Sequence, residues 1–274
     1  SSASIAENSG STITLTATLS QIADEAVTVS FSTSGAATSG TDYSSISSIT
    51  IAANSSTGTV SFTPTNDAIY EGDEVATVAI SSVSGADATE SGSQSVSITI
   101  LEDESAPTVS LASSSASIAE NSTSTITLTA TLSQIADEAV TVTLSTSGVA
   151  VSGTDYASLS NITIVAGAAT GTTTFTPIDD AVYEGDETVI VDIDSMSGGA
   201  ATESGTQQTT FTITENEYTP TVTLSTSASS IQEDASGTIT LTATLSVATT
   251  ADVAIALATN GTSTEGTDYA NVSD

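Results

Sequence analysis

Apolar and polar residues alternate along this chain with a period of two. In Ser11 to Ser20, Ile13, Leu15, Ala17 and Leu19 fall on one side, and Thr12, Thr14, Thr16 and Thr18 on the other. That spacing predicts a β-strand with one buried and one wet face, and threonine suits the wet face of a pleat. The alternation recurs at Val27-Val29-Phe31, Ile49-Ile51, Val60-Phe62, Ala76-Val78-Ile80 and Val96-Ile98-Ile100. Adding Val109-Leu111, which opens the next unit, gives seven strands per unit, with Gly, Asn, Asp and Ser between them. Helical periodicity is absent. The expected fold is all-β: tandem seven-stranded, immunoglobulin-like antiparallel β-sandwiches with no helices of note.

The word tandem rests on a strict repeat. SIAENS at 4–9 returns at 117–122, and SSIQEDAS at 229–236 takes the same place a third time. TDY stands at 41–43, 154–156 and 267–269, so that Asp42, Asp155 and Asp268 are 113 residues apart. AIYEGDE at 68–74 becomes AVYEGDE at 181–187. Pro107 and Pro220 each follow a polar triplet, Glu102-Asp103-Glu104 and Glu215-Asn216-Glu217, which sets the phase of the unit. The predicted domains are 1–105, a copy lacking its first strand; 106–218, a complete copy; and 219–274, the first half of a third. Links this short predict stiff joints. Tyr43, Tyr70, Tyr156, Tyr183 and Tyr269 read as packing anchors beside the loops. Gly40, Gly72, Gly153 and Gly185 read as turn residues with positive φ.

In an up-and-down sandwich, every connection after an odd-numbered strand lies at the same pole. The acids of copy one concentrate there: Glu7 after the first strand, Asp42 after the third, Asp67, Glu71, Asp73 and Glu74 after the fifth, and Glu102, Asp103 and Glu104 after the seventh. Only Asp24, Glu25, Asp87 and Glu90 map to the other pole. Repetition places Asp137, Glu138 and Glu203 at the corresponding end of copy two, facing the acidic end of copy one across the joint.

Charge turns this clustering into chemistry. The chain has 33 Asp plus Glu and no Lys, Arg, His, Cys or Trp, a formal net charge of -33. Phosphate backbones and anionic membranes would meet no side-chain cation, so nucleic acid is not an expected partner. A Ser-His-Asp triad, a cysteine nucleophile, a Schiff base and an imidazole or thiolate metal site are excluded. Paired carboxylates could hydrolyse glycosides, but the acids recur in every unit and aromatics make up only 4%, so the protein reads as no enzyme. Charged residues are 12% of the chain against ~25% in ordinary soluble domains; the anomaly is missing cations. Clustered carboxylates with no internal counter-charge must raise their pKa values or bind an external cation. Ca²⁺ takes 6–8 oxygens and tolerates irregular loops, whereas Mg²⁺ demands a stricter octahedron and Zn²⁺ prefers His or Cys. No apolar run is long enough to cross a membrane. Lack of cysteine is compatible with the cell exterior for domains of this size.

An early Glu after the first strand, a G-T-D-Y turn, a D-x-x-Y-E-G-D-E stretch and a terminal acidic triplet together resemble the Calx-beta domain, known from the regulatory loop of sodium-calcium exchangers and from extracellular repeats of integrin β4 and bacterial surface proteins. The resemblance implies Ca²⁺ as the bound ion. It implies as ligands Glu7, Asp42, Asp67, Glu71, Glu74, Glu102, Asp103 and Glu104 in copy one, and Glu120, Asp155, Asp179, Asp180, Glu184, Glu187, Glu215 and Glu217 in copy two. Copy three keeps Glu233 and Asp268. Two departures bear on this: Asn66 stands where copy two has Asp179, and Asn216 replaces the middle acid of the triplet, though its carbonyl oxygen can still coordinate. The expected role is a Ca²⁺-stiffened extracellular stalk or fibre of a bacterial-type surface adhesin. Its partners are neighbouring repeats, with other copies of the chain as partners in a strand-exchanged filament. A Ca²⁺ sensor is a third reading.

Overall fold

The computed structural model describes residues 2–234, 236–270 and 272. Copy one contains β1 (Ser2–Ala6), a single 3-10 turn (Glu7–Ser9), β2 (Ile13–Thr18), β3 (Val27–Gly35), β4 (Ile49–Ile51), β5 (Thr57–Phe62), β6 (Glu74–Ser84) and β7 (Ser95–Leu101). Copy two contains β8 (Thr108–Ser113), β9 (Ser117–Ala119), β10 (Ile126–Leu132), β11 (Val140–Gly148), β12 (Ile162–Ile164), β13 (Thr170–Phe175), β14 (Val182–Tyr183), β15 (Glu187–Ser197), β16 (Thr202–Glu203) and β17 (Gln208–Thr214). β18 (Val222–Thr226), β19 (Leu241–Leu245) and β20 (Ala248–Thr249) follow.

Copy two is a complete two-sheet sandwich, with strand orders β12-β11-β15-β17-β9 and β13-β10-β8-β16. The alternation works as the sequence implies: in β10, Ile126, Leu128, Ala130 and Leu132 are buried and the threonines between them are not. They pack with Val109, Leu111, Val140, Val142, Phe175, Val189, Val191 and Phe211 into one continuous core. Each fully buried side chain of this kind contributes about 1.5–3 kcal/mol. At its centre Tyr156, Phe175 and Phe211 meet at ring distances of 4.9 and 4.6 Å, so Tyr156 is a packing anchor. Tyr43, stacked 4.7 Å from Phe62, repeats this in copy one.

The entry of the chain differs from the expected single first strand followed by a loop. It is two strands: β8 runs antiparallel to β10 in one sheet, and β9 crosses to the other sheet and runs parallel to the last strand, β17. The crossing falls in Ser114–Ala116, where small polar residues let the backbone turn and Ser114 exchanges hydrogen bonds with Thr127 through its N–H and its hydroxyl. Copy one repeats the second half of this device, β1 lying parallel to β7 from Ser2↔Ser97 to Ala6↔Leu101.

Among the described residues β2 pairs with β5 alone. A cavity of about 1210 Å³ opens between the sheets there, lined among others by Leu15, Ala17, Val29, Ile51 and Val78. The core is accordingly split into two clusters, around Tyr43 and Phe62 and around Val27 and Ile49. In the third segment β18 and β19 form an antiparallel pair, with Leu224 57% and Leu241 39% exposed.

The copies meet edge to loop. Tyr70 N–H donates to Ile135 O at 2.7 Å, Asp137 N–H to Tyr70 O at 3.2 Å, and the Gln134 side-chain amide to Ala68 O at 2.6 Å. The next joint uses the same register, β14 lying parallel to β20 with Tyr183 opposite Thr249.

Candidate metal centre

The acidic pole is assembled by turns that the sequence specifies locally. In the G-T-D-Y turn, Asp42 Oδ2 accepts the Thr38 N–H at 2.5 Å and Asp155 Oδ2 the Val151 N–H at 2.5 Å. Both aspartates are buried, at 8% and 7% exposure. One oxygen of each is thereby fixed to the backbone. In the Y-E-G-D-E turn, Gly72 and Gly185 take φ of +78° and +83°, a region that disfavours a side chain. Gly40 and Gly153 also have positive φ, as expected of turn positions.

Glu102 and Glu215 tie this turn to the end of the last strand. Glu102 Oε2 accepts the N–H groups of Glu71 and Gly72 at 2.5 and 2.7 Å, while its Oε1 accepts those of Asp103 and Glu104 at 2.9 and 3.0 Å. Glu215 repeats the pattern with Glu184, Gly185, Asn216 and Glu217. Burial works to raise both carboxyls, but the N–H donors outweigh it: Glu102 ends below the ordinary range and Glu215 at about 2. These two glutamates therefore organise the loops.

Around them the carboxylates fall into two groups per copy. In copy one, Glu7, Glu102, Asp103 and Glu104 form the first group and Asp42, Glu71 and Glu74 the second; within each, one oxygen per residue lies within 4.8 Å of the others. Copy two has Glu120, Glu215 and Glu217, and Asp155, Glu184 and Glu187. Asp67 and Asp180 donate their N–H groups to Glu7 Oε1 at 2.9 Å and to Glu120 Oε1 at 3.3 Å. Each also accepts an N–H on one carboxylate oxygen, from Ile69 and Val182 respectively. Asp179 lies near enough to Glu217 for its charge to raise that carboxyl. Among the described residues Glu233 and Asp268 join no such group. Glu233 is exposed, and Asp268 Oδ2 caps the Thr264 N–H.

Crowding without a counter-charge shows in the titration of these groups. Glu71 and Glu74 are pushed up to about 7, by burial first and then by Asp42 and the neighbouring carboxylates. Glu104, Glu120 and Glu187 also reach about 7, and Glu7 and Glu184 are raised, burial leading in each case. Several oxygens are enclosed with no donor: Glu74 Oε2, Glu104 Oε2, Glu217 Oε2 and Asn216 Oδ1. The Asn216 amide nitrogen donates to Glu217 Oε1 at 2.9 Å, which turns its carbonyl oxygen the other way. Orphaned buried acceptors beside like-charged oxygens are stable only with a proton or a cation between them. An all-oxygen donor set on loops fits Ca²⁺.

The model of the Calx-beta domain matches residues 1–104 and 102–217. The chain belongs to the Calx-beta family. Calx-beta is a calcium-binding family, and both matched Calx-beta copies carry the acidic groups just described. No curated protein sequence matches the chain. Among solved structures, CBD12 from CALX1.2 aligns at 13% identity and a TM-score of 0.34, covering 77% of this chain and 96% of that one. Invasin, a bacterial integrin-binding protein, aligns at 18% identity and a TM-score of 0.33, over 86% of this chain and 43% of that one. The Yersinia pseudotuberculosis adhesin InvE aligns at 11% identity and a TM-score of 0.38, over 77% and 56%. No helix among the described residues is long and apolar enough to cross a membrane.

Proposed function

We propose that this chain is a segment of a rigid extracellular stalk or fibre of a bacterial-type surface adhesin, built from Calx-beta sandwiches and stiffened by Ca²⁺. The observation that carries the reading is the set of enclosed, partnerless oxygens at Glu74, Glu104, Asn216 and Glu217, inside acidic groups of a chain with no side-chain cation. In copy one the ions would be held by Asp42, Glu71 and Glu74 and by Glu7, Asp103 and Glu104, and in copy two by Asp155, Glu184 and Glu187 and by Glu120, Glu217 and the Asn216 carbonyl. Asp67, Asp179 and Asp180 would add further oxygens beside these groups. Glu102 and Glu215 would hold the loops in place. A bound ion neutralises the crowded carboxylates and cross-links loops that otherwise repel. Calorimetric unfolding in Ca²⁺, in Mg²⁺ and in chelator tests this, since binding to the native state alone raises the melting temperature by mass action. A rise specific to Ca²⁺, together with protection of the 102–107 and 215–220 links from protease, is expected. An unchanged transition in every cation would end the metal reading, and links cut equally fast with and without chelator would end the stalk reading.

A further inference from the structure

One reaction open to this chain needs no metal, and a single pair of residues carries it. Asn260 is followed by Gly261, the one Asn-Gly step in the sequence. The backbone nitrogen after an asparagine is a nucleophile within reach of the side-chain amide carbon, and a glycine there, having no Cβ, leaves its approach unobstructed. What else that N–H is doing then decides whether it reacts. At most of the other asparagines it is engaged. Ser55, after Asn54, donates to Ala52 O at 3.0 Å, and Ser122, after Asn121, donates to Ala119 O at 3.0 Å. Asp67, after Asn66, donates to Glu7 Oε1 at 2.9 Å, and Glu217, after Asn216, to Glu215 Oε1 at 2.9 Å. The Asn8 amide is itself tied to Asp103 Oδ2 at 2.7 Å, and Asn161 and Asn271 precede the stiff β-branched residues Ile162 and Val272. Asn260 and Gly261 are both exposed, and none of the described residues accepts the Gly261 N–H.

The glycine itself has a structural origin. The same place holds Ser34-Gly35 in copy one and Ser147-Gly148 in copy two. Gly35 and Gly148 take φ of +121° and +120°, and a Cβ on either would collide with a carbonyl oxygen of the neighbouring strand, that of Val75 or of Thr188. Close approach to β6 and β15 therefore demands glycine. Gly261 keeps the conformation, at φ +136°, with nothing within 4 Å of the place a Cβ would take. Copy three alone sets an asparagine before it, and there the space is open.

We propose that Asn260 is a site of spontaneous deamidation. The Gly261 nitrogen gives its proton to hydroxide and attacks Asn260 Cγ; a new C–N bond closes a five-membered succinimide, and the side-chain nitrogen leaves with that proton as ammonia. Water then opens the ring at either carbonyl, giving aspartate or isoaspartate, so that each ammonia released consumes one water. The product gains a negative charge. In the isoaspartate form the main chain runs through the side-chain carbon and is one atom longer ahead of the turn in which Asp268 Oδ2 accepts the Thr264 N–H at 2.7 Å. None of this depends on a bound ion, so it stands or falls apart from the metal reading.

The test is incubation of the full chain near pH 8 and near pH 5, with ammonia release and peptide masses followed over time. The chain has no Lys or Arg, so cleavage after glutamate replaces trypsin and yields Asp234 to Glu265 as the peptide that carries Asn260. That peptide should convert several times faster than those with Asn54 or Asn121, and faster near pH 8 than near pH 5. Hydroxylamine, which traps the succinimide, should split the chain between residues 260 and 261. Asn260→Ser, which installs the residue of the other two copies, should abolish the early ammonia and leave the melting temperature unchanged. Unfolding in denaturant frees the Ser55 and Ser122 N–H groups and should speed Asn54 and Asn121 severalfold without speeding Asn260. Asn54 or Asn121 keeping pace with Asn260 in the folded chain overturns the proposal, as does an Asn260 that converts only once the chain is unfolded.

Discussion

Replacing Glu187 by Gln should move the stability of the second copy in opposite directions with and without Ca²⁺. Glu187 shares with Asp155 and Glu184 a space in which one oxygen of each lies within 4.8 Å of the others. Two unit charges at that distance repel by about 3 kcal/mol at an effective dielectric constant of about 20, and the amide removes two of the three pairs. Much of that repulsion is relieved by protonation, since burial and Asp155 push Glu187 up to about 7. A carboxyl raised in the folded state costs nothing below its unfolded pKa, and the penalty grows as pH rises through the folded value. Near pH 8 this amounts to about 3 kcal/mol for a group titrating at about 7, before screening. Glu187 is partly exposed, and with solvent screening about 1 kcal/mol survives. In chelator the variant should therefore melt about 4 °C higher. In excess Ca²⁺ the lost ligand should lower affinity by about a hundredfold, removing about 2.7 kcal/mol of linkage. Set against the gain of about 1 kcal/mol, the variant should melt about 6 °C lower. Scanning calorimetry of the full chain near pH 8, with millimolar Ca²⁺ or with chelator, reads both values. A shift of the same sign in both conditions refutes the reasoning.

Further expectations concern the neighbouring groups. With Glu71, Glu74, Glu104, Glu120 and Glu187 all titrating at about 7 in the fold, the chelated chain should be most stable near pH 5 and lose stability toward pH 8; denaturant midpoints across that range should reverse their trend when Ca²⁺ saturates the sites. Glu215→Gln should destabilise the chain in both conditions by about 2 kcal/mol, because that carboxylate holds four backbone N–H groups whatever the metal does; a loss seen only in Ca²⁺ would make it a simple ligand. Tyr43 is fully buried and its hydroxyl has no partner, so Tyr43→Phe should raise the melting temperature of copy one, by up to about 1 kcal/mol of stability, and a decrease would reveal a hidden partner for that oxygen.

Most of the strands can be read directly from the sequence because one face of each is apolar, and alternation along Ile13 to Leu19 or Val96 to Ile100 encodes both the element and its buried side. Convergence of the acids follows from topology alone, since loops after odd strands share a pole. What alternation cannot express is a change of sheet. The run Ser113-Ser114-Ser115 interrupts the rhythm and the buried positions change parity from Leu111 to Ile118, which reads as one strand plus a loop, although β8 and β9 are both strands with hydrogen-bond partners in different sheets. The β-bulges between Ser30 and Phe31 and between Thr143 and Leu144 leave no compositional mark. At the site, all acids look alike in sequence. That Glu102 and Glu215 organise backbone while Glu74 and Glu187 are left without such donors depends on where N–H groups point, which only the folded turns determine.

The parallel pairing of entry and exit strands has a mechanical consequence. In copy two the second entry strand, β9, lies beside the last strand, β17, and runs the same way, and β1 lies likewise beside β7 in copy one. Tension between the two ends of a domain therefore pulls these strands past one another, and their hydrogen bonds are loaded together, in shear. An antiparallel hairpin pulled from its open end would instead unzip one bond at a time under a small force. Single-molecule pulling should show each sandwich yielding in one high-force event, and a β1 or β9 weakened by proline should lower that force with little change in thermal stability at the acidic sites.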